Sequence, residues 1–235
     1  MKQRMQTRKL GKDLMVSAVG LGCMGFSHAY GAPTDEKETV RLLRSAFDFG
    51  YTFFITTEIY GTVEDPHINE ELVGKALAPM RNQVVIVTKF GLRFDFESGK
   101  VPVPIIPDSR PEIIRKSVGG SLKRLGTDHI DLYFQHRIDP KVEPEEVARV
   151  MAELIKQGKV IYWGISEANE DYLRRAHAVC PVTAVQNRYS MMARHYESLF
   201  PVLEELNVGL VAFSPIANEF FLEKTEKAGI LTRKT

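Results

Sequence analysis

Cysteine is nearly missing: the 235 residues hold two, Cys23 and Cys180, too few for a disulfide scaffold. Long apolar runs are missing too. None approaches the ~18 residues that a spanning helix needs, so no membrane partner is expected. Neither sign of charge prevails, since 31 Lys and Arg face 30 Asp and Glu. So even a balance gives no general pull toward nucleic acid. The basic start, Met1 to Arg8, is followed by no apolar core or cleavage site of a signal peptide, and a cytoplasmic, reducing compartment is the expectation. No Gly-x-Gly-x-x-Gly follows the first strand and no Gly-Lys-Ser/Thr phosphate loop occurs, which weakens the dinucleotide-fold and P-loop options. The histidines show no metal-ligand spacing, and no metal is expected. What is present is ordinary for a globular chain: 44% hydrophobic and 26% charged residues, which argues against wholesale disorder.

Short β-branched or aromatic runs alternate with amphipathic stretches. Ser17 to Gly22 is a weak first strand, followed by Tyr51–Ile55, Val84–Thr88, Ile130–Phe134, Val160–Ile165, Val182–Gln186 and Gly209–Phe213. Several are almost continuously apolar, as strands of a helix-covered parallel sheet are. The intervening stretches carry helix signals. Asp35 to Glu38 and Ser109 to Glu112 read as capping boxes, Asn69 and Asn169 as caps, and Pro111 and Pro144 as first-turn prolines. Gly50, Gly126 and Gly158 read as stops, and Tyr196 to Leu206 as a last helix containing Pro201. The proline-rich loop Arg93 to Pro107 reads as a surface excursion. Strand then helix, repeated without a linker, predicts one α/β domain over residues 1–235. The pattern alone does not separate an open doubly wound sheet from a (β/α)8 barrel.

In either fold the site lies at the C-terminal ends of the strands. Those ends hold Tyr60 after the second strand, Lys89 on the third, His136 on the fourth, Ser166 and Asn169 after the fifth, Gln186 on the sixth and Ser214 and Pro215 after the seventh. Each alone also reads as an ordinary packing or surface residue. Jointly, a phenol, an ammonium and an imidazole on consecutive strand ends suit proton transfer, because a neighbouring cation favours the phenolate and makes Tyr a usable donor.

The segments Gly50 to Gly61, Asn69 to Leu77, Val87 to Phe90, Leu125 to Tyr133, Gly158 to Ser166 and Ala212 to Pro215, in this order, resemble the aldo-keto reductase signature. The resemblance runs from about Thr7 to about Asn218. It implies a (β/α)8 TIM barrel and reduction of a small-molecule aldehyde or ketone, with hydride from a nicotinamide cofactor, NADPH, and without a metal. By position, Tyr60 matches the general acid, Lys89 its cation and His136 the residue that orients the carbonyl. Gly22, Cys23 and Met24 match the loop touching cofactor and substrate. Ser166, Asn169 and Gln186 match the nicotinamide carboxamide contacts. Phe213 matches the ring that stacks on the nicotinamide, with Ser214, Pro215 and Ile216 along the pyrophosphate.

Two departures stand out. Where the family places the catalytic Asp that pairs with the Lys, this chain has Ile55, and Thr57 stands where Ala is common. The expected strands number about seven of eight, ending near Phe213. Glu219 to Lys227 suggests a short helix, and Ile230-Leu231 is too short for a further βα unit. The sequence therefore predicts either a carbonyl reductase or a catalytically impaired relative that binds cofactor or a partner.

Overall fold

The computed structural model describes residues 5–29 and 31–217. Strands β1 (Thr7–Leu10) and β2 (Leu14–Ser17) pair antiparallel, Leu10 opposite Leu14. Gly11 makes their turn at φ +56°, a left-handed conformation suited to glycine. Then follow β3 (Leu21–Gly22), α1 (Glu36–Asp48), β4 (Phe53–Ile55), α2 (Ile68–Leu77), β5 (Val85–Phe90), β6 (Leu92–Phe94), β7 (Ile105–Pro107) and α3 (Pro111–Leu125). The remaining elements are β8 (Ile130–Gln135), α4 (Pro144–Lys156), β9 (Val160–Ser166), α5 (Glu170–Val179), β10 (Ala184–Arg188), α6 (Phe200–Glu205) and β11 (Gly209–Phe213).

Seven strands form one parallel sheet in the order β11-β10-β9-β8-β5-β4-β3. These correspond to the seven expected strands and to seven of the eight of a (β/α)8 barrel. Within the described residues β3 and β11 are the sheet edges. The proposed helix at Glu219–Lys227 and the pair Ile230-Leu231 lie outside the described residues.

Side-chain alternation makes two cores. Phe53, Ile55, Val87, Leu132, Phe134, Ala184 and Val211 pack inside the curl with Leu10, Leu14 and Val16 of the hairpin, which closes the N-terminal end. Phe54, Ile86, Phe90, Tyr133, Trp163, Ile165 and Val185 face outward to the helices. Gly164 lies beside Phe134 and Ala184 in register; a Cβ there would sit 2.4 Å from Phe134 Cε1 and 2.5 Å from the Ala184 carbonyl oxygen. The missing side chain at Gly164 is what gives the Phe134 ring its room.

Several caps behave as the sequence implies. Asp35 accepts from the Glu38 amide at 3.2 Å, and Asn169 accepts from the Tyr172 amide at 2.9 Å. Gly126 ends α3 at φ +64°. The expected helix Tyr196–Leu206 is instead a short 3-10 turn, Glu197–Leu199, followed by α6, which places Pro201 in the first helical turn, where proline is tolerated. Two caps differ. Asn69 lies inside α2, fully buried, and binds loops instead of capping. Ser109 is not a cap either; its hydroxyl accepts from Gln135 Nε2 at 3.1 Å, and Arg110 precedes the helix. The loop 93–107 contains the antiparallel pair β6–β7.

Candidate active site

Alternation along each strand decides which polar side chains face inward at the C-terminal rim. Lys89 lies two residues beyond Val87, and His136 two beyond Phe134. Ser166 and Gln186 occupy the matching positions on β9 and β10, and Phe213 follows Val211 on β11. All five line one cleft of about 920 Å³, together with Gly22, Met24, His28, Ile55, Tyr60, Arg137, Ser214 and Pro215. The cleft lies between the β3 and β11 edges and reaches down to Val16 and Phe53.

Tyr60 stands on the loop after β4. Lys89 Nζ donates to Tyr60 Oη at 3.3 Å and lies 5.0 Å from the ring centre. The His136 ring meets the Tyr60 ring edge-on, with centroids 5.9 Å apart. Lys89 is 2% exposed and His136 8%. Burial first, and then the charges of Lys89, Arg137 and His28, push His136 well below the usual imidazole range, so it is neutral at physiological pH. A neutral imidazole has one N–H. His136 Nδ1 lies 3.4 Å from Thr57 Oγ1, which also lies 3.1 Å from the Lys89 carbonyl oxygen. The Thr57 hydroxyl gives its one proton to that carbonyl, so its oxygen is left to accept from Nδ1–H of the neutral imidazole.

A buried amide sets the Tyr60 loop. Asn69 Nδ2 donates to the Cys23 carbonyl at 2.9 Å and to Ser27 Oγ at 2.6 Å, and its Oδ1 accepts from Thr56 Oγ1 at 2.5 Å. The Ser27 hydroxyl donates to the Tyr60 carbonyl at 2.5 Å. The loop after β3 and the loop after β4 are thereby one hydrogen-bonded unit.

Three of the sequence candidates stand off the cleft. Cys23 is fully buried, its thiol pushed up to about 12 chiefly by burial; its amide donates to the Ile55 carbonyl. Asn169 is exposed and caps α5, and Ile216 is 45% exposed without lining the cleft. Among the cleft residues that escaped the sequence reading, two stand beside the Tyr60–His136 pair. His28 stacks on Tyr60 with centroids 5.8 Å apart and donates from Nδ1 to the Gly61 carbonyl. Arg137 reaches the His136 carbonyl at 2.6 Å and Ser166 Oγ at 3.2 Å. The sequence signal for Arg137 was only its place one residue past a strand end.

The donor set suits a nicotinamide cofactor. The Gln186 side chain faces the cleft with no hydrogen bond to the described residues, and the Ser166 hydroxyl lies beside it on the neighbouring strand. Since the Ser166 hydroxyl donates to the Gln186 backbone carbonyl at 3.0 Å, the two offer a free amide and a hydroxyl oxygen to a carboxamide. Phe213 offers a ring in the same cleft, and the chain turns just beyond it, with Ser214 at φ +51° and Ala217 at φ +49°. Among the described residues no cluster of His, Cys, Asp and Glu could hold a metal ion, and no helix is long and apolar enough to cross a membrane.

Comparison with known proteins agrees with this geometry. Residues 18–234 match the aldo/keto reductase family. A probable aldo-keto reductase 1 from Glycine max is 40% identical over 222 residues, which are 93% of this chain and 61% of that protein. The chain thus spans about three fifths of that relative. Among solved structures, aldo-keto reductase AKR11C1 from Bacillus halodurans, in its holo form, superposes with a TM-score of 0.80 at 31% identity, over 92% of this chain and 68% of its own. The glycerol dehydrogenase AKR11B4 from Gluconobacter oxydans gives 0.82 at 30% identity, over 94% and 67%.

Proposed function

The chain belongs to the aldo/keto reductase family, and from that premise we propose that its single barrel domain reduces small aldehydes or ketones to alcohols with NADPH. The carrying observation is the contact of Lys89 Nζ with Tyr60 Oη at 3.3 Å, in a cleft that His136 shares. Bound there, the cofactor supplies a hydride. The chain's own residues do the rest. Tyr60 Oη gives its proton to the carbonyl oxygen as negative charge develops there. Lys89 stabilises the phenolate left behind. His136, its Nδ1 facing Thr57 Oγ1 and its ring meeting Tyr60 edge-on, orients the carbonyl. Gly22 and Met24 wall the substrate side. Ser166 and Gln186 would hold the carboxamide, Phe213 would stack on the ring, and Ser214 and Pro215 would line the path toward the phosphates. The cytoplasmic assignment rests on the two buried free thiols.

The test is NADPH consumption with 4-nitrobenzaldehyde, read against Tyr60→Phe. Consumption by the parent chain that the variant loses supports the reading; none, with substrate and cofactor in excess, overturns it. A second reading, a cofactor-binding relative with little turnover, is favoured by Ile55, which offers Lys89 no carboxylate. NADPH binding, followed by energy transfer from Trp163, the chain's one Trp, without aldehyde turnover would support that reading.

A further inference from the structure

Lys89 is buried and carries three N–H donors, of which one finds an acceptor among the described residues, the Tyr60 hydroxyl. No carboxylate among the described residues lies within ion-pair distance of it. Its strand neighbour shows why. Ile55 pairs with Val87 across β4 and β5, and Lys89 points to the same side two residues on. The side chain in the layer beneath the ammonium is therefore a hydrocarbon. Arg137 repeats the pattern. It is half-buried, spends its guanidinium on a carbonyl and a hydroxyl, and makes no ion pair among the described residues. The described residues lining the cleft include Lys89, Arg137 and Arg8 and not one Asp or Glu. The chain does pair buried cations elsewhere. Arg124 meets Glu70 at 2.6 Å and Arg81 meets Asp131 at 2.8 Å, all four side chains largely buried. A buried ammonium and a half-buried guanidinium on one cleft, with no anion among the described residues of its wall, make a site whose anion comes with the ligand.

We propose that the inner rim between Lys89 and Arg137 is a carboxylate site, and that the preferred substrates are 2-oxo acids, in which a carboxylate adjoins the carbonyl. The inference rests on the carbonyl reduction described above. A carbonyl oxygen that accepts from Tyr60 Oη stands beside Lys89 Nζ, because those two atoms are 3.3 Å apart. A carboxylate one bond away stays within the cleft that the Lys89 ammonium and the Arg137 guanidinium both line. In the reaction the carbonyl carbon gains a hydride from the reduced nicotinamide, and the π pair of the C=O bond takes the proton from Tyr60. The carboxylate is unchanged. The products are a 2-hydroxy acid and the oxidised cofactor, and Tyr60 recovers its proton from solvent.

The same chemistry could also be met by a free carboxylate filling the site beside a neutral substrate, so the experiment has two arms. The first compares benzoylformate with benzaldehyde as substrates at low ionic strength, for the parent chain, Ile55→Asp and Arg137→Gln. The expected result is kcat/KM at least about tenfold higher for benzoylformate in the parent chain. In Ile55→Asp, where a carboxylate is built in beside Lys89, benzoylformate should fall about tenfold while benzaldehyde holds or rises. Arg137→Gln should raise KM for benzoylformate and lower the ratio of kcat/KM for benzoylformate over benzaldehyde about tenfold. The second arm adds sodium formate to the benzaldehyde assay. Stimulation in the parent chain that vanishes in Ile55→Asp assigns the site to free carboxylates; no stimulation, with the benzoylformate preference present, assigns it to the substrate. Equal use of the two substrates with formate silent overturns the proposal. If neither carbonyl is reduced, the functional reading fails, and calorimetric titration with benzoylformate still decides this one. Binding that Ile55→Asp abolishes upholds the carboxylate site, and no binding overturns it.

Discussion

Thr88 and Lys89 are neighbours in β5 and face opposite sides of the sheet. Outward, the Thr88 hydroxyl donates to Glu70 at 2.5 Å, and Glu70 pairs with Arg124 at 2.6 Å with its side chain fully buried. Glu58 lies in the same outer layer, accepting from Ser117 Oγ at 3.2 Å. Burial, then the negative charge of Glu70, pushes its carboxyl up to about 8. Inward, Lys89 meets a phenol and a hydrocarbon. One layer therefore holds two acids and one cation, tied to each other; the other holds cations and no acid. The difference separates charges used to fix helices α2 and α3 on the barrel from charges left available to a ligand.

The contrast can be broken first from the inside. Tyr60→Phe removes the proton donor and should lower kcat/KM for an aldehyde by about 10³-fold, within the range of general-acid contributions. Far-UV circular dichroism should be unchanged, because Tyr60 Oη holds no helix or strand in place. On the outside the expected effect is on stability. Arg124→Met leaves the Glu70 carboxylate buried without its cation and should lower unfolding free energy in urea by ~3–5 kcal/mol, whereas Arg124→Met combined with Glu70→Leu should recover part of that loss.

A smaller effect sharpens the outer layer alone. Between the ordinary carboxylate value of 4.5 and the folded value of about 8, the native chain holds a proton on Glu58 that the unfolded chain has released. This stabilisation is fully present below about 4.5 and is lost as pH rises through about 8. Thermal scans should show Tm falling by about 5 °C from pH 6 to pH 9, equivalent to ~2 kcal/mol in a domain of this size. Glu58→Gln should flatten that slope. A steeper slope in the variant would place the titration elsewhere. The smallest effect tests the tautomer of His136. Thr57→Ala removes the hydroxyl beside Nδ1 and should lower kcat about 3- to 10-fold, the worth of one buried hydrogen bond, with KM for the cofactor unchanged in steady-state assays.

Much of this arrangement was legible in the sequence. The seven sheet strands are apolar runs with few competing signals, and their alternation already aligned Lys89, His136, Ser166 and Gln186 on one face. The hairpin β1–β2 was not legible, because three of the four residues in β1 are exposed and only Leu10 is buried; so short a polar strand has no periodic signature. Asn69 reads locally as a cap, since short polar side chains favour that position, yet its three partners come from Cys23, Ser27 and Thr56. Asn169 illustrates the opposite outcome: the local capping signal was met, and that is where its side-chain oxygen is engaged. His28 and Arg137 enter the cleft through loops, whose course no periodicity encodes.

The Asn69 network has a kinetic meaning. Met24 lies in the segment held by Cys23 and Ser27, and Tyr60 in the segment held by Thr56 and Ser27. Neither segment can swing away without tearing hydrogen bonds from a fully desolvated amide, so the two have no separate opening steps. Binding at one wall and protonation at the other then share one relaxation, and a single exponential in a stopped-flow trace would be its mark.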